Sequence, residues 1–395
     1  MTSACGPLDD LLIVDLSRVL AGPYATLVLG DLGARIVKVE RPGTGDDSRA
    51  IGPFDAKGQS AYFASINRGK QSIALDLKDA VDRVVFEALL ARADVLVENY
   101  RPGTMARLGY GWETLHARHP RLIMASASGF GQTGPDAPKA AYDMVVQAMG
   151  GIMSVTGHPG GPPTRVGTSV GDITAGLFTV AGILAALHHR ARTGEGLFVD
   201  VAMLDGQIAI LENAVARYAV TGVAPGPLGA RHPSITPFAA YSCADAHIVI
   251  AAGNDALWEA LLDALDLSAL RANPRFATNA LRSEAADTVA TILEARLGTA
   301  PAAHWLAVLD AAGVPCGPLN DVAQALDLPQ VRARNMRAST TFPDGSPLLC
   351  AGNPVKLSGY ADPVQKPGAR ALDADRAGIL AELGLADLAL AEEKA

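Results

Sequence analysis

The chain has 395 residues, 49% hydrophobic and 19% charged, which is too long for one ordinary core and excludes global disorder. A net charge of −8 argues against a generic nucleic-acid binder, which would carry a basic face, but leaves room for local Arg and Lys clusters that hold an anion. Cys5, Cys243, Cys316 and Cys350 form no CxxC pair and the histidines no HExxH spacing, so no disulfide framework and no metal site are expected.

The first ten residues, MTSACGPLDD, have neither a basic n-region nor an apolar h-region, so no signal peptide is expected. The longest apolar run, 173–187, falls short of the ~20 residues a bilayer span needs. A soluble, cytoplasmic protein with no membrane partner is the expectation.

Residues 11–16 (LLIVDL) are apolar and partly β-branched, which predicts a buried strand. Gly22-Pro23 leads into a helix to about Leu32, Gly33 ends it, and residues 34–40 (ARIVKVE) alternate as a second strand. This βαβ unit starts a parallel sheet. Further strands are predicted at 72–77, 95–99 and 122–127, with helices near 79–92 and 111–118. The pattern is α/β, and its ligand site is expected beyond the carboxyl ends of the strands. The first strand is followed by SRVLAGPYA rather than GxGxxG, and no GxxxxGK[ST] run occurs, which disfavours a nicotinamide cofactor and a P-loop. Two loops after strands, 99–103 (NYRPG) and 129–135 (GFGQTGP), lie where function usually sits.

Residues 165–176 (RVGTSVGDITAG) place Asp172 between glycines at the start of a predicted buried helix, 173–187. Amides and dipole at a helix N-terminus stabilise an anion, so Asp172 is expected to be held ionised, with glycine backbone close to a substrate. Two roles stay open on this stretch alone: a helix N-cap, or a nucleophile. His188-His189 beside Arg190 reads as a helix C-terminal cap. A turn at 193–196 leads to a strand at 197–203, a helix at 204–220 and a Gly/Pro-rich linker at 221–227. A second α/β segment begins near Phe238: a strand pair through 248–252, then helices near 256–266, 282–297 and 302–312, closed by 313–318 (GVPCGP). An Ala/Leu helix with an acidic face is predicted at 373–393.

Several pieces recur in one order: LAGPYAT, ARIVKVERPGTGD, NRGKQSIALDLK, VLVENYRPG with Leu108-Gly109, SGFGQTGP, YDMVVQAMGG, VGDITAG and RTGEG. In that order and spacing, over about residues 8–360, the chain resembles the family III CoA-transferases, the CaiB–BaiF family. The resemblance implies a Rossmann-like large domain with a parallel sheet plus a smaller α/β domain. Residues 1–220 would be the first part of the large domain, 221–236 a linker, 237–318 the small domain, and 319–395 a return linker and the rest of the large domain. It also implies a homodimer of ring-like chains threaded through one another.

In this frame Asp172 is the catalytic nucleophile. CoA contacts fall on Leu20, Ala21, Arg41, residues 75–78 (Leu75 to Lys78), Asn99, Tyr100, Arg101 and Arg107, and those at the thioester end on Ala140, Tyr142 and Asp143. Where some members carry a loop lysine this chain has Ala140, with Lys139 one place earlier. Amides near Gly171 and at Leu20-Ala21 are candidate oxyanion donors. CoA enters as acyl-CoA, a substrate, and no metal or redox cofactor is implied. Residues 229–238 (GARHPSITPF), without the glycine run of some oxalate-using members, resemble the succinyl-CoA:dicarboxylate branch, in which Arg231 and His232 would meet a distal carboxylate. Two rival readings stand beside this one. An α-methylacyl-CoA racemase of this fold carries His and Glu where this chain has Tyr142 and Asn254. A non-catalytic acyl-CoA-binding protein would not need Asp172 flanked by glycines.

Overall fold

The structure, a computed structural model, describes residues 6–388. The chain forms two compact units: one from residues up to Met153, Arg165–Gly222 and Leu326 onward, the other from Ser154–Thr164 and Val223–Ala325.

The first unit is built on a six-stranded sheet: β1 (Leu12–Asp15), β2 (Arg35–Glu40), β3 (Gln71–Ala74), β4 (Val95–Glu98), β5 (Ile123–Ser128) and β6 (Phe198–Ala202). All pairings are parallel, in the order β3-β2-β1-β4-β5-β6, with Ile13 beside Ile36 on one side and Val95 on the other. Alternate side chains face opposite cores, as a sheet covered on both faces requires. Val14 and Leu96 join Phe86, Leu115 and Leu380 on one face, while Ile13, Val95 and Val97 join Leu29, Val180 and Ile183 on the other. Strand order reverses between β1 and β4, so the loops after these two strands diverge and leave a crevice at their carboxyl ends.

The Val170–Thr193 helix packs against the Ala21–Asp31 helix, β5 and β6. Its 24 residues overrun the expected 173–187 and make it long and apolar enough to cross a membrane by length and composition; 44% of the apolar window is buried within the chain. His188-His189 are not its C-terminal cap. The helix continues because Arg190 is buried against Asp94 Oδ1 at 2.9 Å, and Gly194, at φ 83°, ends it. The single helix expected at 204–220 breaks at Leu211 into Met203–Ile210 and Glu212–Thr221. In the stretch expected as a return linker and the rest of the large domain, Arg337–Thr341 and Pro347–Ala351 pair as an antiparallel hairpin. The tail helix is Arg376–Leu383; of the expected 373–393, residues 389–393 lie outside the described residues, as does Cys5. Just before it, Asp375 accepts the Ser72 N–H at 2.9 Å and Asp373 the Ala74 N–H at 2.7 Å, which satisfies donors along the exposed edge of β3.

In the second unit β7 (Phe238–Ser242), β8 (His247–Ala251) and β9 (Cys316–Pro318) form an antiparallel sheet. Residues 316–318 thus extend the sheet rather than only closing the segment. The Asp255–Ala264, Ala286–Leu297 and Ala302–Ala311 helices supply Trp258, Leu261, Leu293, Trp305 and Leu309 to its core. Asn254 caps the first of these, accepting the Leu257 N–H at 2.9 Å. Residues 154–164 belong to this unit as well, and the Gly229 N–H meets the Gly157 carbonyl at 2.8 Å.

Candidate active site

After β1 the chain turns through Ser17, Arg18, Val19 and Leu20 into the Ala21–Asp31 helix. Val19 sits at φ 66°, a conformation that a β-branched residue keeps only where its surroundings impose it. Its N–H donates to Asp46 Oδ1 at 3.1 Å, and the Arg18 N–H donates to Asn99 Oδ1 at 2.8 Å. Beneath the loop lies a buried charge cluster. Lys38, 1% exposed, reaches Asp46 Oδ2 at 2.8 Å and the Ser17 carbonyl at 2.7 Å. Lys70, 3% exposed, reaches Asp15 Oδ2 at 3.1 Å and the Pro23 carbonyl at 2.9 Å. Burial pushes the Asp15 carboxyl up, but Lys70 and Lys38 outweigh it and hold it well below the usual carboxylate range. Breaking either buried pair would leave an uncompensated charge, so the cluster holds the loop in one shape.

Asp172 lies half-buried in the first turn of the Val170–Thr193 helix. Burial, then the like charge of Asp143, push its carboxyl up to about 7, against the pull of the Ala21 backbone amide. Desolvation and a neighbouring carboxylate thus outweigh the amides of the helix N-terminus, which were expected to favour the ionised form. The flanking glycines also have a different purpose. A Cβ at Gly171 would fall 2.8 Å from a Val146 methyl and 3.0 Å from Asp143 Oδ1; one at Gly176 would fall 2.8 Å from the Ala21 carbonyl. Both glycines admit close approach of the protein's own groups. The Gly171 N–H, expected as an oxyanion donor, donates to Asp143 Oδ1 at 2.8 Å and is taken.

Asp172 opens onto a cavity of about 220 Å³ whose walls include Leu20, Ala21, Asn99, Tyr100, Arg101, Lys139, Ala140 and Tyr142. A second cavity, of about 550 Å³, is lined by Arg41, Leu75, Lys78, Tyr100 and Leu108. Arg18 and Tyr100 line both, with the guanidinium 5.4 Å from the ring centroid. The two cavities together follow the carboxyl ends of the first five strands. Arg107 lines neither; it is exposed and donates to Thr104 Oγ1 at 2.8 Å. Asp143 is 7% exposed and lies behind Asp172 rather than in the wall. Lys139 does line the first cavity, with its ammonium on Asp136 at 2.7 Å.

A model of "CoA-transferase family III" matches residues 8–375. The chain belongs to this family. It is an enzyme that transfers CoA. It is 50% identical to the acetyl-CoA:oxalate CoA-transferase of Acetobacter aceti, over 95% of this chain and 96% of that one. It is 41% identical to the succinyl-CoA:mesaconate CoA-transferase of Haloarcula hispanica, over 96% and 97%. A crystal structure of a CAIB/BAIF family protein from Brucella suis superposes with a TM-score of 0.83 at 39% identity, covering 96% of this chain and 99% of that one.

Arg231 and His232 lie in the enzyme's second unit. Arg231 lines a separate cavity of about 580 Å³ there and pairs with Asp287 at 2.6 Å. His232 stacks on Phe238, ring centroids 5.1 Å apart, and accepts the Ser234 N–H at Nδ1. Sequence reasoning missed Arg18, Asp47, Met203 and the Asp15–Lys38–Asp46–Lys70 cluster. One signal was available for the cluster: Asp15 and Lys38 interrupt otherwise apolar strand runs, and a charge there must find a buried partner.

Proposed function

We propose that the enzyme moves CoA from an acyl-CoA donor to a dicarboxylic acid through Asp172. The ionised carboxylate attacks the thioester carbonyl, the C–S bond breaks, and CoA leaves as thiolate from a mixed anhydride. The thiolate attacks the aspartyl carbonyl and releases the donor acid, leaving an aspartyl-CoA thioester. The acceptor carboxylate then repeats both steps in reverse. Two covalent exchanges replace one between poor partners, and conserved thioester energy removes any need for a metal or redox cofactor. The observation carrying this reading is Asp172 at the wall of the first cavity, with the Ala21 amide beside it. That amide, at the start of its own helix, is the oxyanion donor we assign in place of Gly171.

Arg18, Arg41 and Lys78 around the second cavity suit the phosphates of CoA, and Tyr100 suits contact along its length. A dicarboxylate acceptor fits both relatives, whose acids, oxalate and mesaconate, carry two carboxyl groups, and a succinyl-CoA donor fits the second of them. Arg231, on the cavity of the second unit, is the group we assign to recognition of a free carboxylate. We keep the homodimer of threaded chains as part of the proposal; apolar side chains left exposed on the first unit, among them Leu177, Phe178, Tyr218 and Val220, support a dimer. We place the enzyme in the cytoplasm, where acyl-CoA is available.

Hydroxylamine trapping tests the reading. Incubation with succinyl-CoA alone should convert Asp172 to a hydroxamate, read by peptide mapping. Asp172→Ala and Asp172→Asn should lose turnover by several orders of magnitude. An active Asn variant, with no adduct at position 172 in the wild type, would leave Asp172 as a helix residue only.

A further inference from the structure

The Val170–Thr193 helix lacks a cap of its own. Ser169, in the N-cap position, makes no side-chain hydrogen bond to the first turn. The cap comes from a distant element: Asp143, first residue of the Asp143–Met149 helix, accepts the Gly171 N–H at 2.8 Å on Oδ1. Its other oxygen accepts Gln147 Nε2 at 2.7 Å. Gln147 is fully buried, and its Oε1 accepts the Val166 N–H at 2.9 Å. Two side chains on one short helix therefore hold the stretch from Val166 to Gly171, which leads into the Val170–Thr193 helix, at both ends. Asp172 is the next residue, and neither Asp143 nor Gln147 lines its cavity.

We propose that Asp143 and Gln147 are positioning residues for Asp172: through Gly171 and Val166 they lock the turn that aims its carboxylate into the cavity, and they touch no substrate. The proposal rests on the reading of Asp172 as the nucleophile. A carboxylate suits the task because it accepts two bonds at once, each strengthened by its charge. The same charge faces Asp172 from behind, while Tyr62 lies near Asp172 from the Ala61–Ile66 helix and the Ala21 amide approaches it from the Ala21–Asp31 helix. Arg18 and Lys139 line the cavity in front. Asp143 thus assigns geometry and protonation of the nucleophile together.

The test uses Asp143→Ala, Asp143→Asn and Gln147→Leu in the full chain, with single-turnover hydroxylamine capture from succinyl-CoA and steady-state KM. Asp143→Ala and Gln147→Leu should slow capture at position 172 by at least about tenfold, because loss of aim costs rate. KM for succinyl-CoA should stay within about twofold, since no binding contact is removed. Asp143→Asn should recover part of the rate, its amide oxygen still accepting the Gly171 N–H. Its acid limb in kcat/KM should move to lower pH, because the like charge behind Asp172 is gone. Raised KM with unchanged capture would make Asp143 a substrate contact and overturn the proposal, as would wild-type capture and acid limb in all three variants. If the Ala variant does not fold, the Asn profile and the Leu capture rate decide. Absence of an adduct in the wild type would sink the nucleophile reading itself; equal capture in wild type and variants would sink only the positioning role.

Discussion

Asn99 clamps Arg18 with both ends of its side-chain amide: Oδ1 accepts the Arg18 N–H at 2.8 Å, and Nδ2 donates to the Arg18 carbonyl at 2.7 Å. The residue lines the first cavity, yet its polar atoms are committed to the loop that leads to Ala21. Asn99→Ala removes both bonds and leaves two backbone groups to find water, at a cost of about 1–3 kcal/mol. Asn99→Asp keeps only the bond in which oxygen accepts. Denaturant melts should rank wild type above Asp above Ala, and kcat should fall in the same order. A KM effect without a stability effect would mean that Asn99 serves CoA alone.

Asp172 makes activity and stability pull in opposite directions with pH. Attack needs the carboxylate, so kcat/KM should fall on the acid side with a limb near the raised value of about 7. The fold raises this group above its ordinary 3.8, so it favours the protonated form. That stabilisation is fully present below the unfolded-state value and is lost as pH rises through the folded one. Asp172→Asn, neutral throughout, should therefore melt higher than wild type at pH 8, and the gap should close towards pH 4. A gap that widens on acidification would contradict the raised value.

Arg41 and Arg107 part company in the structure, and their variants should too. Arg41 lines the second cavity and holds Asp47, which also pairs with Arg18; Arg107 lines neither cavity. Loss of a charge-assisted phosphate contact costs roughly 1.5–3 kcal/mol, so Arg41→Ala should raise KM for acyl-CoA about tenfold or more. Arg107→Ala should change it less than Arg41→Ala does. Equal effects would require Arg107 to swing inward when CoA binds, which titration with CoA alone would detect.

Arg231 gives a specificity readout. Its partner Asp287 is 91% exposed at the side chain, so the pair is weak and open to exchange for a substrate carboxylate. Arg231→Ala should reduce kcat/KM for a dicarboxylate much more than for a monocarboxylate of equal length, because only the former has a second charge to pair. Equal losses would assign Arg231 to structure.

Local physics made much of this protein legible from its residues alone. Strand and helix alternation through β5 follows from periodicity that neighbours in sequence impose. The loops at 99–103 and near Leu20 therefore fall at the carboxyl edge of the sheet before any tertiary contact is known. Asp172 was marked by its place before an apolar run, and the ordered motifs marked the family. What needed the tertiary structure was every property set by residues far apart in the chain. The protonation of Asp172 depends on Asp143 and on burial that no window of sequence contains. The glycines beside it are required by Val146, Asp143 and Ala21, not by a substrate. Asn99 turned out to hold backbone, and Arg107 to lie off the cavities, because the direction of a side chain is decided by what packs around it. The His188-His189 reading failed for the same reason: Arg190 is held by Asp94, far away in the chain, and the helix runs on to Gly194. Sequence periodicity determines which elements form; only their packing decides which charges meet, and those meetings set the chemistry of the site.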